Sequence, residues 1–161
     1  MTVTSATEKG PAKTRFTIRD LAARDKAAWL ELWRGYCAFY QATVADAATE
    51  TTWARLMDPA QPMLGLVACD AAARPVALAH CVLHLNTWTT QPVCYLEDLY
   101  VVPTARCTGA ARALIEALAE RGKREGWLRL YWVTKADNHR ARALYDRVGQ
   151  LTDWVRYDLP L

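Results

Sequence analysis

The segment YLEDLYVVPTARCTGAA, residues 95–111, constrains the fold of this chain more than any other part. Its first half predicts a β-strand that carries two adjacent carboxylates, Glu97 and Asp98. Its second half predicts a loop with small residues around Gly109, and an apolar stripe then predicts a helix over 108–126. Backbone amides point outward from the first turn of such a helix, where an anion can bind. The segment therefore predicts an α/β domain with an anion site next to two acids.

The remaining elements follow from hydrophobic periodicity and turn residues. They are strand 16–19, helices 21–40 and 48–57, strands 63–69, 75–85 and 93–102, then, after the helix over 108–126, strand 129–134, helix 138–148 and strand 154–159. The polar residues 1–14 predict a flexible tail, and residues 15–161 predict one domain, because no linker or repeat divides them. This order of elements matches neither a plain doubly wound sheet nor a TIM barrel.

Charge and composition exclude several classes of function. The net charge of +3 is too small to indicate nucleic-acid binding, and no stretch approaches the roughly 18 apolar residues of a membrane span. The five cysteines are widely spaced and form no CxxC pair, so we expect neither disulfides nor zinc and place the protein in a reducing cytoplasm. His80 and His84 share a strand face but lie about 13 Å apart, too far for one metal, so we expect structural roles for them.

Two motifs together indicate a family. The acidic strand is followed by V-x-P, R-x-x-G-x-A and an apolar helix, without the Lys of a Walker loop or the three glycines of a Rossmann fingerprint. Later, N-x-x-A-x-x-L-Y-x-x-x-G includes Asn138 and Tyr145. This combination resembles the GNAT superfamily of N-acetyltransferases over nearly the whole chain, and in detail its small-amine, polyamine and yeast-type histone/polyamine members. The resemblance implies the GNAT α/β fold, a mixed and mostly antiparallel sheet with splayed central strands flanked by helices.

The resemblance also implies acetyl-CoA as the acetyl donor. The helix start can hold its pyrophosphate through the backbone amides of Cys107, Thr108, Gly109, Ala110 and Ala111, while Arg106 adds charge. Relatives leave part of the central strand unpaired, so the resemblance implies that Leu99, Tyr100 and Val101 hold the pantetheine arm as an added strand would. Cys107 departs from the family pattern, which usually has glycine at this position.

Acetyl transfer to an amine needs a base and an acid. An alkylammonium has a pKa of about 10, so a base must remove a proton, and Glu97 is the first candidate, acting directly or through water, with Asp98 second. Tyr145 matches the tyrosine that acts as general acid in the superfamily. Asn138 matches a position that contacts the cofactor arm there, but it can also be the N-cap of its helix, or both.

The acceptor is predicted to be the primary amine of a small molecule, such as a polyamine, a diamine or an amino-acid-like compound. Tyr36 and Tyr40 either line the acceptor pocket near their helix end or belong to the core, and Trp88 either forms a pocket wall or covers the core. Asp98 and other carboxylates can attract the amine. The alternatives are acetylation of a protein lysine or N-terminus, and a GNAT-fold sensor that binds CoA without transfer. The resemblance further implies a homodimer.

Overall fold

The computed structural model describes residues 15–161, and the predicted flexible tail over 1–14 lies outside this range. Its elements are β1 (Thr17–Asp20), α1 (Lys26–Phe39), α2 (Asp46–Met57), β2 (Met63–Cys69), β3 (Pro75–His84), β4 (Val93–Val101), α3 (Ala110–Glu125), β5 (Arg129–Tyr131) and α4 (His139–Val148). Short 3₁₀ turns over Ala23–Asp25 and Pro103–Ala105 precede α1 and α3. None of the helices in 15–161 combines the length and the apolar character that crossing a bilayer requires.

The strands form one sheet in the order β1-β2-β3-β4-β5. Neighbours from β1 to β4 are antiparallel, whereas β5 is parallel to β4. Pairing between β4 and β5 stops at Tyr95 and Tyr131, although β4 continues to Val101. The two strands therefore diverge and leave a gap beside the second half of β4. This mixed, splayed sheet confirms the predicted fold class.

Helices cover both faces of the sheet because each has one apolar stripe. On one face, α3 packs Leu114, Ile115 and Leu118 against inward side chains of β2, β3 and β4. On the other face, α1 and α2 bury the tryptophans Trp29, Trp33 and Trp53. The gap between β4 and β5 thus opens between two packed layers, which hold its walls in place.

A β-bulge interrupts β4 at Glu97. His80 of β3 pairs with Asp98, and the next residue, Cys81, already pairs with Leu96, so Glu97 has no partner in the ladder. A bulge re-aims side chains that a regular strand would send to opposite faces. The bulge therefore determines the directions in which the side chains of Glu97 and Asp98 point.

The structure corrects several predicted elements. Helix α1 begins at Lys26 rather than residue 21, because a separate 3₁₀ turn over Ala23–Asp25 precedes it. Helix α3 begins at Ala110 rather than residue 108, because Cys107 and Gly109 have positive φ angles of 61° and 96° that no α-helix accepts. Strand β5 ends at Tyr131 rather than residue 134, because β4 diverges from it there. The strand predicted over 154–159 does not form: β5 offers only three paired residues as an edge, and the segment runs unpaired with its side chains exposed.

Candidate functional site

A cleft of about 510 Å³ opens beside β4, on the face that α1 and α2 cover. The bulge brings the side chains of Glu97 and Asp98 into it together, although adjacent residues of a regular strand face opposite ways. The remaining wall of the cleft comes from α1, α2, the loop that leads into β2, the start of β2, and β3. Its residues are Trp33, Thr52, Arg55, Gln61, Pro62, Met63 and Val82. The cleft therefore combines two acids with one arginine.

A second, much narrower slot occupies the gap between the splayed strands. It is lined by Tyr36 and Tyr40 of α1, Leu96, Glu97 and Leu99 of β4, Trp132 and Val133 after β5, and Tyr145 of α4. The slot brings Glu97 and Tyr145 together, although they are far apart in the sequence. Glu97 lines both the slot and the larger cleft, so its carboxylate stands where the two spaces adjoin.

Tyr145 is held in a half-buried position by α4 and by the ring of Trp132, whose centroid lies 5.3 Å away. Burial, and to a lesser degree the neighbouring Tyr40, raises the pKa of Tyr145 to about 12. The phenol therefore keeps its proton at neutral pH. A protonated hydroxyl in this slot can donate its proton to an anion that forms beside it.

Glu97 is solvent-exposed on β4, and the protein around it still favours its accepting a proton. Desolvation raises the pKa of the Glu97 carboxyl above its ordinary value, and the negative charge of Asp98 raises it further. The positive charge of Arg156 acts in the opposite direction. A carboxylate with a raised pKa is a stronger base than a free one, which suits it to take a proton from an amine.

Asp98 is bound to the protein on one side. Its Oδ2 lies 3.0 Å from Nδ1 of His80, which is buried on β3, and Trp29 donates to the other imidazole nitrogen over 2.8 Å. Tyr36 lies close enough that Asp98 contributes, after desolvation, to raising the pKa of that phenol. The sequence did not assign a site role to Trp29, His80 or Arg55. His80 reaches the acids through the register of β3 with β4, and Trp29 and Arg55 reach the site through the packing of α1 and α2.

The loop before α3, where the sequence predicts an anion cradle, leaves several backbone amides without a carbonyl partner. Five consecutive backbone amides donate to no backbone carbonyl in residues 15–161, namely those of Cys107, Thr108, Gly109, Ala110 and Ala111. At the start of α3, the Ala113 amide donates to the Gly109 carbonyl. A Cβ built on Gly109 would meet nothing within 4 Å, so this face of the turn is open. Five unpaired donors at a helix start fit a pyrophosphate.

Arg106 and Thr108 brace this loop. The Arg106 guanidinium donates from Nε to the Val101 carbonyl over 3.2 Å and lies over the ring of Phe39, 5.6 Å from its centroid. The Thr108 hydroxyl donates to the Ala105 carbonyl over 2.5 Å. The positive charge of Arg106 therefore sits at the end of β4, next to the cradle.

The β4 backbone beside the gap fits the predicted pantetheine track. The Val102 amide donates a hydrogen bond to the Val76 carbonyl, and in an antiparallel ladder only every second residue bonds to the partner strand. The backbone of Tyr100 therefore bonds to β3, whereas the backbone N–H and C=O groups of Leu99 and Val101 point away from β3. Within 15–161 no strand pairs with that side of β4 beyond Tyr95. Tyr100 is buried and faces α1, where its ring touches Gly35.

Two further residues were predicted to contact ligands: Asn138, which lies at the start of α4, and Trp88, which lies in the β3–β4 loop. Asn138 is the N-cap of α4: its Oδ1 accepts from the Ala141 amide over 3.4 Å and its Nδ2 donates to Thr134 over 3.1 Å. Trp88, in the β3–β4 loop, is 83% exposed and lines neither the cleft nor the slot. In the part of the chain that the structure describes, no three His, Cys, Asp or Glu side chains are grouped to hold a metal.

Comparisons with known proteins identify the family of this chain. The acetyltransferase (GNAT) family model matches residues 27–150. The D-amino-acid N-acetyltransferase HPA3 of Saccharomyces cerevisiae is 36% identical over 144 residues, 89% of each chain. The thialysine N-epsilon-acetyltransferase of Caenorhabditis elegans is 43% identical over 63 residues, 39% of each chain.

Solved structures share the fold at low identity. A probable acetyltransferase superposes with a TM-score of 0.81 at 18% identity, covering 90% of this chain and 97% of its own. The structure of AAC(6')-Iy in complex with the bisubstrate analog CoA-S-monomethyl-acetylneamine superposes with a TM-score of 0.75 at 20% identity, covering 92% of this chain and 99% of its own.

Proposed function

Because the chain belongs to the GNAT family and is an acetyl-CoA-dependent N-acetyltransferase, we propose that it acetylates the primary amine of an amino-acid-like small molecule by direct attack in a ternary complex. The observation that carries this proposal is the position of Glu97, which lines both the cleft and the slot. An acceptor in the cleft and an acetyl donor in the slot would meet at this carboxylate.

The donor would be held by two parts of the chain. The cradle amides from Cys107 to Ala111 and the charge of Arg106 would bind the pyrophosphate, and the β4 backbone at Leu99 and Val101 would bind the pantetheine arm. The bound donor supplies an acetyl thioester. We further propose that the amide of Val101 polarises its carbonyl. Asn138 would contribute mainly by starting α4, which carries Tyr145.

The acceptor enters as an ammonium ion and must lose a proton before it reacts. Glu97 would take that proton, directly or through water, and the free amine would form the new carbon–nitrogen bond as the carbon–sulfur bond breaks. Tyr145, whose hydroxyl is protonated at neutral pH, would give its proton to the departing thiolate. Tyr36 and Tyr40 would close the slot against water.

The charges of the cleft favour an acceptor that is both a cation and an anion. Glu97 and Asp98 suit an ammonium, and Arg55 in the same cleft suits a carboxylate. No ion pair within 15–161 involves Arg55. The names of the two relatives, which specify D-amino acids and thialysine, support the same class. Polyamines and diamines suit the cleft less well, because they have no group for the arginine.

A panel assay tests this proposal. D- and L-amino acids, lysine analogues, putrescine, spermidine, and peptides with a free lysine or N-terminus are each incubated with acetyl-CoA, and acetylated products are measured by mass spectrometry. A thiol reagent is less suitable, because the exposed Cys107 would react with it. We expect turnover with amino acids. Turnover of peptides alone would favour a protein acetyltransferase, and CoA binding without any product would favour a sensor.

Arg55→Gln separates amino acids from polyamines. We expect it to raise KM about tenfold or more for an amino acid, since a charge-assisted hydrogen bond is lost, and to leave KM for putrescine equal or lower. Arg74→Gln is the matched control, because Arg74 lies in the β2–β3 turn, paired with Asp70. Equal effects of Arg55→Gln on both acceptors would remove Arg55 from the acceptor site.

We also propose that the enzyme is a cytoplasmic homodimer. The segment over 150–161 supports a second copy as partner: Trp154, Val155 and Tyr157 are all more than two-thirds exposed, on both faces of the segment. The five free cysteines support a reducing compartment. Light scattering after size exclusion should give twice the chain mass, and Trp154→Asp should give a monomer. A monomeric wild type would refute the dimer.

A further inference from the structure

The imidazole of His80 is buried between an indole and a carboxylate. His80 is 1% exposed. Trp29 Nε1 lies 2.8 Å from its Nε2, and Asp98 Oδ2 lies 3.0 Å from its Nδ1. Both ring nitrogens are therefore in hydrogen bonds, on opposite sides of the ring.

These two partners determine where the imidazole proton lies. An indole N–H is only a donor, so Nε2 of His80 must accept, and a neutral ring then carries its proton on Nδ1 and donates it to Asp98. A second proton on Nε2 would set two N–H groups against each other at 2.8 Å. Trp29 thus keeps His80 neutral as well as oriented.

Trp29 itself has little freedom to move. It is completely buried, its ring centroid lies 4.9 Å from that of Trp53, and it stacks on Trp33 at 6.3 Å. His80 and Asp98 are also direct partners in the β3–β4 ladder, which brings their side chains to one face. The indole, the imidazole and the carboxylate form one fixed row that ends in the acceptor cleft.

We propose that His80 is a positioning residue that presents Asp98 to the ammonium group of the acceptor. A neutral imidazole holds one carboxylate oxygen without cancelling its charge, whereas an imidazolium would neutralise Asp98 and weaken its attraction for a cation. The free oxygen of Asp98 then receives the ammonium beside Glu97, which takes the proton. This inference rests on the proposed function, since it assigns the way in which that cleft holds its amine.

Replacing His80 tests the role of the row. His80→Leu removes the donor to Asp98, and we expect KM for the amine to rise about ten- to a hundredfold, the cost of a lost hydrogen bond to a charged group, with KM for acetyl-CoA unchanged. His80→Asn can still donate near the Nδ1 position and should stay within a fewfold of wild type. An unchanged amine KM in a folded His80→Leu enzyme would overturn the proposal while leaving the proposed function intact.

Replacing Trp29 tests the neutral state. In Trp29→Phe, Nε2 can accept a proton, so amine KM should rise more steeply than in the wild type as the pH falls, and adding His80→Asn should remove that extra dependence. The other charged or titratable groups near the row are Tyr95 and Glu97 of β4, Cys81 of β3, Tyr36, Cys37 and Tyr40 of α1, and Arg55 of α2. They are present in both variants, so His80→Asn isolates the imidazole.

A spectroscopic test needs no acceptor. The chain has three histidines, so nitrogen-15 spectra of the imidazoles are simple, and His80→Asn identifies the His80 signals. We expect a protonated Nδ1 and an unprotonated Nε2 at neutral pH. A proton on Nε2, or a ring that becomes charged at neutral pH, would overturn the proposal even if amino acids are good substrates.

Discussion

Replacing Cys107 by glycine should stabilise the protein. Cys107 has a φ of 61°, in the left-handed region where a residue with a Cβ is strained by roughly 1–2 kcal/mol. Glycine adopts this region freely, but its more mobile unfolded chain costs roughly 0.5–1 kcal/mol. The thiol is exposed, so no packing is lost. The difference predicts a gain of roughly 0–1.5 kcal/mol, whose midpoint near 0.75 kcal/mol corresponds to a rise in Tm of about 1.5–3 °C.

Two variants control for other causes. Cys107→Ala keeps a Cβ and removes only the thiol, so its Tm should equal that of the wild type. Gly109→Ala should act in the opposite direction, because Gly109 has a φ of 96° while a Cβ there meets no atom within 4 Å. Strain would then cost about 1–2 kcal/mol, offset in part by the roughly 0.5–1 kcal/mol gained from a less mobile unfolded chain. Differential scanning calorimetry of the four proteins provides the measurement.

The same series tests whether the cradle is preformed. If the loop already has this conformation before CoA binds, the strain at Cys107 is equal in both states and Cys107→Gly should leave the Kd for CoA within about twofold. A Kd lowered about fivefold, equivalent to roughly 1 kcal/mol, would mean that the strain arises only on binding. That result, or a Tm no higher than that of Cys107→Ala, would refute the reasoning.

Three further predictions concern the slot, the acids and the core. Tyr145→Phe should lower kcat about 10²- to 10⁴-fold with little change in the Kd for CoA; an unchanged kcat in steady-state assays would exclude Tyr145 as the acid. Activity should fall with decreasing pH as Glu97 is protonated, at a pH above that of an ordinary carboxyl, because its pKa is raised. Asp98→Asn removes a nearby negative charge and should move this limb of the kcat/KM profile to lower pH; a shift to higher pH would contradict the assignment. Gly35→Ala would place a Cβ 2.5 Å from the Tyr100 hydroxyl, and the overpacking should cost roughly 1–3 kcal/mol of unfolding free energy in urea denaturation; a Tm equal to that of wild type would show that the ring moves away easily.

Much of the architecture could be predicted from local patterns. Strand β2 over Met63–Cys69 has the predicted bounds, and α3 follows the predicted loop. The hairpin turn after β2 formed without glycine, because Asp70 accepts hydrogen bonds from the amides of Ala72 and Arg74 over 2.9 and 3.0 Å. Such features depend on neighbours in sequence, which periodicity and turn chemistry describe.

Features that depend on long-range pairing were not predictable. The bulge at Glu97 arises from the register between β3 and β4, and His80 meets Asp98 only through that register. Arg55 reaches the acids because α2 packs beside β2. The segment over 154–159 has a strand-like pattern but pairs with no strand within residues 15–161. The roles proposed for Glu97, Tyr145 and the cradle stay predictions that the assays above address.

The bulge has a consequence for how this site could arise and disappear. On either side of Glu97, Leu96 and Asp98 already pair with Cys81 and His80, which are consecutive in β3. Deleting the single codon for Glu97 would therefore leave every other pair of the ladder in register, whereas a deletion elsewhere in β4 would shift one side of it. The residue proposed as the base occupies a position that the sheet does not need. One insertion in an ancestral gene could have added it, and one deletion would yield a folded protein without it.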